Sequence, residues 1–317
     1  MTKKPPPLGA VLLAFAAVYL IWGSTYLAIR LAIETMPPLL MAAARFLTAG
    51  AVLYTWLSLR GSARPSLDQW KTAGVSGALL LAGGNSAVVV AEQWVPSGLT
   101  ALLVGLVPIW MVLLDWRFGA RTRPTGRSIV GLALGLVGVG VLAGSPGVGA
   151  GGRQEVFGAL LILAGSLSWA AGSIYTRYAT SLPAPAMLVS MQMLAGGTIQ
   201  LVMAVALGEP ALLDIRSISG TSWAALAYLI VFGALIAYGA YIWLLTVVTP
   251  ARSATYAYVN PVVAMFLGWA LVDEPLTYRS LLAAAIILGA VGMITTGAPS
   301  SLESGVRPVP SGGGSSQ

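Results

Sequence analysis

The stretch "YLIWGSTYLAIR" (Tyr19–Arg30) decides the fold. It closes an apolar run that begins near Leu8, yet it carries tyrosines, a tryptophan, a glycine, two hydroxyl residues and a final arginine. A second stretch, "SLSWAAGSIYTR" (Ser166–Arg177), repeats that pattern. A shift of 147 residues places Leu20 on Leu167, Trp22 on Trp169 and Arg30 on Arg177. The same shift places Pro38 on Pro185, Arg45 on Gln192, Leu47 on Leu194 and Gly50 on Gly197. Further on, a shift of 153 places Pro108 on Pro261 and Gly144 on Gly297, and Pro96 falls one residue short of Pro250. Each match is weak alone; their order along the chain marks an internal repeat.

The repeated unit is a membrane unit. The 317 residues are 57% hydrophobic and 9% charged, whereas soluble domains carry roughly 25% charged residues. A bilayer-spanning helix needs roughly 20 apolar residues. Ten such segments can be marked, near residues 8–29, 37–59, 69–92, 97–116, 126–144, 155–177, 184–207, 221–246, 250–272 and 278–297. The expected fold is an all-α membrane protein of ten helices, arranged as two five-helix repeats. Residues 1–148 form the first and residues 149–297 the second. Five is odd, so the halves insert with opposite orientation, a device of transporters that bind substrate between the repeats. Residues 298–317, rich in Pro, Gly and Ser, are expected to form a disordered cytoplasmic tail.

Orientation follows from lysine and arginine, which favour the cytoplasmic side. With the N-terminus inside, Arg30, Arg153, Arg216 and Arg279 lie outside and Arg45 lies within a helix. The remaining basic residues, from Lys3 and Lys4 to Arg307, lie inside. Both termini are therefore expected in the cytoplasm. No small-x-small cleavage site follows the first run, so it reads as a retained helix. The net charge of +7 belongs to this bias rather than to nucleic acid.

Composition also removes chemistries. The chain has no cysteine and no histidine, which excludes disulfides, Cys/His zinc sites, thiol nucleophiles and histidine acid–base catalysis. An intramembrane lipid-modifying enzyme would need an acidic metal cluster or an activated nucleophile, and the 10 acidic residues are scattered. A channel would show a ring of like polar groups. No phosphate-binding loop of the form G-x-x-x-x-G-K-[ST] occurs. A secondary transporter remains. Its expected partners are a small-molecule substrate and the lipid bilayer, with no nucleic acid, no cofactor, no metal and no catalytic residue, and a monomer is the expected state.

The pieces "IWGSTYLAIR", "PPLLMAAARFL" (Pro37–Leu47), "GNSAVVVAEQWVPSG" (Gly84–Gly98), "SWAAGSIY" (Ser168–Tyr175) and "SATYAYVNPVVA" (Ser253–Ala264) go further. Together they resemble EamA-type transporters of the drug/metabolite transporter superfamily, most of all the YedA-like bacterial inner-membrane branch. The resemblance runs from about Leu8 to Gly297. It implies a ten-helix carrier with a central cavity that exports amino acids or other small metabolites. Small multidrug relatives exchange protons through a glutamate in their first helix. That helix has no carboxylate here, so that mechanism does not carry over. Where the family closes its ninth helix with Gly-Glu, this chain reads "VDEP" and keeps Glu274; the matching first-half position is Arg121.

Among candidate cavity residues, Trp22 and Trp169 lie some two-thirds along their helices. They either line the cavity, offering flat apolar or cation-binding faces, or pack against neighbouring helices. Trp56, Trp70, Trp94, Trp116, Trp223, Trp243 and Trp269 sit near segment ends and read as an interfacial belt. Trp110 is a further cavity candidate. Gly23 reads as a close-packing position. Ser24 and Thr25 either face the cavity or bond their own helix, and Tyr26 needs a partner for its hydroxyl.

Arg45 is the most informative charge. It either pairs with Glu92 or Glu34, or holds an anionic group of the substrate; Gln192 is its counterpart. Asn85 and Asn260 are embedded amides with bonding capacity to meet, and Asn260 precedes the helix-breaking Pro261. Tyr256 and Tyr258 lie on different sides of one helix, so only one is expected to face the cavity. Pro108 and Pro261 read as mid-helix kinks or hinges. Glu92 is the candidate for proton coupling, Asp115 is expected to pair with Arg117, and Arg30 and Arg177 to snorkel toward the membrane surface.

Overall fold

The structure, a computed structural model, describes residues 6–95, 100, 103–119, 123–143, 152–272 and 278–297. Within these residues the chain forms ten long helices and no β-strand: α1 (Leu8–Ile33), α2 (Pro38–Leu59), α3 (Leu67–Ala91), α4 (Val107–Phe118), α5 (Gly126–Ala143), α6 (Gly152–Tyr178), α7 (Pro185–Ala206), α8 (Gly220–Val247), α9 (Tyr256–Val272) and α10 (Tyr278–Gly297). Six of them, α1, α2, α3, α6, α7 and α8, are long and apolar enough to cross a membrane; α5 and α10 hold shorter apolar stretches. Lys3, Lys4, Pro96, Arg121, Gly144, Glu274 and the tail from 298, with Arg307, lie outside the described residues, as does the side chain of Trp269.

Local chemistry sets the helix starts. Pro38 and Pro185 sit in the first turns of α2 and α7, where a missing N–H costs nothing. Ser66 caps α3 in a reciprocal box with Gln69, and Ser219 caps α8 by accepting from the Ser222 N–H. Pro261 lies inside α9, as its place in the sequence predicts. Pro108 does not lie mid-helix. It lies in the first turn of α4, after a non-helical step at residues 105–106 that separates α4 from the helical residues 103–104.

Two features were not legible beforehand. Within α3, residues Ala78–Asn85 wind as a π-helix, and within α8 so do Leu229–Tyr238. Such stretches break the regular i→i−4 ladder and often occur at functional sites. The two occupy the third helix of each half, and the 153-residue shift carries Asn85, which ends the first, onto Tyr238, which ends the second.

The helices pack in exchangeable pairs. α2 lies against α7 and α5 against α10; α1 lies against α8 and α9, and α6 against α3 and α4. Exchanging α1–α5 with α6–α10 leaves this pattern unchanged. At the α2–α7 seam the exchange reaches single residues. A Cβ on Gly50 would stand 3.0 Å from the Leu194 nitrogen, and one on Gly197 would stand 3.1 Å from the Leu47 nitrogen. Where lipid removes the hydrophobic drive between helices, small residues gain association by letting backbones approach.

The belt tryptophans divide. Trp56, Trp116 and Trp223 are exposed; Trp70 rests on Tyr54 and Trp94 on Phe157. Arg177 does not snorkel. Its Nη1 donates to the Leu245 carbonyl at 2.6 Å and to that of Val248, capping the C-terminal end of α8, where the last carbonyls have no helical partner. Arg30, in the last turn of α1, is exposed.

Candidate functional site

A cavity of about 90 Å³ lies between α1, α2, α3, α4, α6, α8 and α9. Its aromatic wall is built from both halves. Trp22 from α1 and Trp169 from α6 meet edge to face, 5.6 Å between centroids at 78°. Tyr256 from α9 stands edge-on to Trp22 at 4.9 Å. Tyr241 lies behind them, 5.2 Å from Trp22 and 5.5 Å from Trp169. Offset and edge contacts of this kind are the favoured aromatic geometries.

The indole donors are fixed. Trp22 Nε1 donates to the Gly233 carbonyl at 3.2 Å, inside the π-helical stretch of α8. Trp169 Nε1 donates to the Tyr241 hydroxyl at 3.1 Å, which also bonds Ser173 at 2.6 Å. Next to Trp169, Ser168 donates to the Leu79 carbonyl at 2.8 Å, inside the π-helical stretch of α3. Each half's first helix thus bonds a carbonyl in the π-helical stretch of the opposite half.

The polar part of the wall is different in kind. Arg45 is 4% exposed and lines the cavity, its Cζ lying 4.7 Å from the centre of the Phe46 ring. It makes no salt bridge to Glu92 or Glu34, and its Nε has no hydrogen-bond partner among the described residues. Gly233 makes its room: a Cβ there would lie 2.7 Å from Arg45 Nη2. The amide oxygens of Asn85 and Asn260, both lining residues, likewise lack donors. A buried polar group left unpaired costs about 1–3 kcal/mol, and a charge more. Among the described residues the wall therefore presents one cation and two acceptors with bonds still to make, and no carboxylate.

Of the residues singled out from sequence, Trp22, Tyr26, Arg45, Asn85, Trp169, Tyr256 and Asn260 share this lining, as does Thr25. The others lie outside it. Ser24 bonds the Ile21 carbonyl and Tyr228. Trp110 donates to Ser166, itself a lining residue, at 3.1 Å. Gln192 is fully buried, bonding Ser76, Thr176 and the hydroxyl of Tyr238, a lining residue. Tyr258 turns away and donates to the Leu132 carbonyl of α5. Glu92 lies beyond the lining; its Oε2 is buried and unpartnered. Asp115 accepts from Tyr178 rather than forming a salt bridge with Arg117. Gly23 lies tight against α9, where a Cβ would stand 2.6 Å from Val263.

The sequence reading missed Phe46, Ser166 and Tyr238. Tyr238 had one available signal, its place 153 residues after Asn85. Among the described residues no group of three or more acidic side chains could hold a metal.

Comparison with known proteins places these features. A model of the EamA-like transporter family matches the chain twice, over residues 8–144 and 156–296. The chain is 44% identical over 291 residues to YedA, an uncharacterized inner membrane transporter of Escherichia coli (strain K12), across 90% of both chains. It is 27% identical over 277 residues to a probable amino-acid metabolite efflux pump of the same organism, covering 86% of this chain and 90% of that one. A crystal structure described simply as that of a protein shares the fold, with a TM-score of 0.75 at 22% identity over 92% of this chain and 97% of that one.

Proposed function

The chain belongs to the EamA-like transporter family, and from that premise we propose a secondary transporter of the bacterial inner membrane that exports amino acids or other small metabolites. The single observation that carries the substrate reading is the unpaired wall of the cavity. Arg45 offers donors to a carboxylate, Asn85 and Asn260 offer acceptors to an ammonium, and Trp22, Trp169 and Tyr256 offer aromatic surface to the remainder. An α-amino acid carries these three parts at one centre. The name of the efflux relative points the same way.

Transport proceeds by alternating access between two inverted five-helix repeats. The exchangeable packing of α1–α5 with α6–α10, the matched Gly50–Leu194 and Gly197–Leu47 approaches and the two family matches support this reading. Both termini are cytoplasmic, on the lysine and arginine bias. Glu92 couples transport to protons, and the break at Pro261 gives α9 a place to flex.

The test is counter-flow in liposomes with Arg45→Gln. Loss of one charge-assisted bond to the carboxylate weakens its half-saturation by about tenfold or more, while a decarboxylated amine analogue is unaffected. Unchanged affinity for the carboxylate substrate overturns the assignment.

A further inference from the structure

The two ends of the molecule are not alike. At one end, the turn between α1 and α2 is joined to the link between α7 and α8. Thr35 Oγ1 donates to Ser222 Oγ at 2.8 Å, and Ser222 Oγ donates to the Leu31 carbonyl at 2.7 Å. The Ser219 N–H donates to Thr35 Oγ1 at 3.2 Å. Glu209, just beyond α7, accepts from the N–H groups of Leu39 and Leu40 at 3.1 and 2.8 Å, one on each carboxylate oxygen. Those amides open α2 and have no helical acceptor, so a carboxylate is the favoured cap. Leu39 and Ser222 are fully buried and Glu209 is 8% exposed.

The other end holds the matching segments, the turn between α6 and α7 and the link between α2 and α3. Among the described residues no hydrogen bond joins them. Ala186, at the position of Leu39, is exposed. Among the described residues the side chains of Ser66 and Gln69, at the positions of Ser219 and Ser222, accept only from each other's N–H. One end is therefore joined across the halves through these segments, while at the other end the matching segments carry no such bonds and the halves meet instead through Tyr178 and Asp115.

We propose that Thr35, Glu209 and Ser222 form a clasp that seals one face of the membrane in this conformation and opens for the cavity to reach that face. The inference rests on the alternating-access reading, in which the halves exchange roles between the two states. Glu209 is the strongest member, since both its oxygens hold backbone amides and its bonds are charge-assisted. Its release leaves two buried amides to be hydrated, which happens only when water enters that end.

The chain has no native cysteine, so a single Val88→Cys in the cavity wall reports access. A membrane-impermeant maleimide is applied from each face, in right-side-out and inverted vesicles. Glu209→Gln puts an N–H against one of the two amides. It raises labelling from the Thr35 face by about tenfold, the effect of losing one charge-assisted bond, and lowers it from the opposite face. Variants that elute as the folded parent and label as the parent from both faces overturn the clasp.

A second arm covers misfolding. Oxidising a Thr35→Cys/Ser222→Cys pair in the same background blocks labelling from that face, and a reductant restores it. Equal labelling in both redox states also overturns the proposal. Neither arm needs a substrate, so the clasp stands even where counter-flow fails, and falls even where counter-flow succeeds.

Discussion

Trp22 of α1 and Trp169 of α6, matched by the 147-residue shift, meet edge to face, 5.6 Å between ring centres. Each is tied by its indole N–H to α8, Trp22 to the Gly233 carbonyl and Trp169 to the Tyr241 hydroxyl. The pair joins the seam between the halves to the wall of the cavity. A double-mutant cycle of Trp22→Phe and Trp169→Phe measures it. Thermal unfolding of the purified protein shows a coupling of about 1 kcal/mol, the worth of an aromatic pair beyond its buried area. Additive losses contradict a direct contact.

Gly233 is the space that Arg45 occupies. Gly233→Ala brings a methyl to 2.7 Å from Arg45 Nη2 and about 3.3 Å from Thr25 Cγ2. The variant loses about 1 kcal/mol, the low end of overpacking costs, because the clashing atom is the far end of a flexible side chain. In an Arg45→Ala background most of that loss disappears, because the clashing atom is gone. An equal loss in both backgrounds contradicts the placement of Arg45.

Arg177 holds the end of α8 through the Leu245 and Val248 carbonyls. Arg177→Ala costs about 1–2 kcal/mol of stability, and Arg177→Lys recovers part of it, since a cation near a helix C-terminus is favourable. Thermal unfolding reads both. A neutral alanine variant identifies Arg177 as a surface anchor instead.

Glu92 carries the proton-coupling proposal. Its Oε2 is buried and has no hydrogen-bond partner. Glu92→Gln abolishes uptake driven by a pH gradient in inverted vesicles while leaving exchange at equal pH intact. Full retention of gradient-driven uptake removes Glu92 from the mechanism.

The helices were legible in the sequence because each is a run of apolar residues bounded by Pro, Gly or charge. Their edges fall within a few residues of expectation, except at the starts of α4, at Val107 rather than near 97, and α9, at Tyr256 rather than near 250. Hydropathy gives no azimuth, however. It could not turn Tyr256 into the cavity and Tyr258 toward α5, or bury Gln192 behind Tyr238.

The π-helical stretches were illegible because one extra residue per turn leaves no mark on composition beyond the glycines in "LLLAGGN" and at Gly233. Arg45 was legible as costly, and geometry removed only one of its alternatives: neither glutamate forms a salt bridge with it among the described residues. Arg177 was misread for a related reason. The sequence places it at a helix end, but the carbonyls it caps belong to a helix more than sixty residues away.

The most direct measurement is counter-flow into liposomes preloaded with single amino acids, sugars or quaternary amines. The account predicts saturable exchange of α-amino acids, competed by the unlabelled substrate and absent for sugars and for amines without a carboxylate. Flux that rises linearly with concentration, or exchange restricted to sugars or quaternary amines, contradicts it.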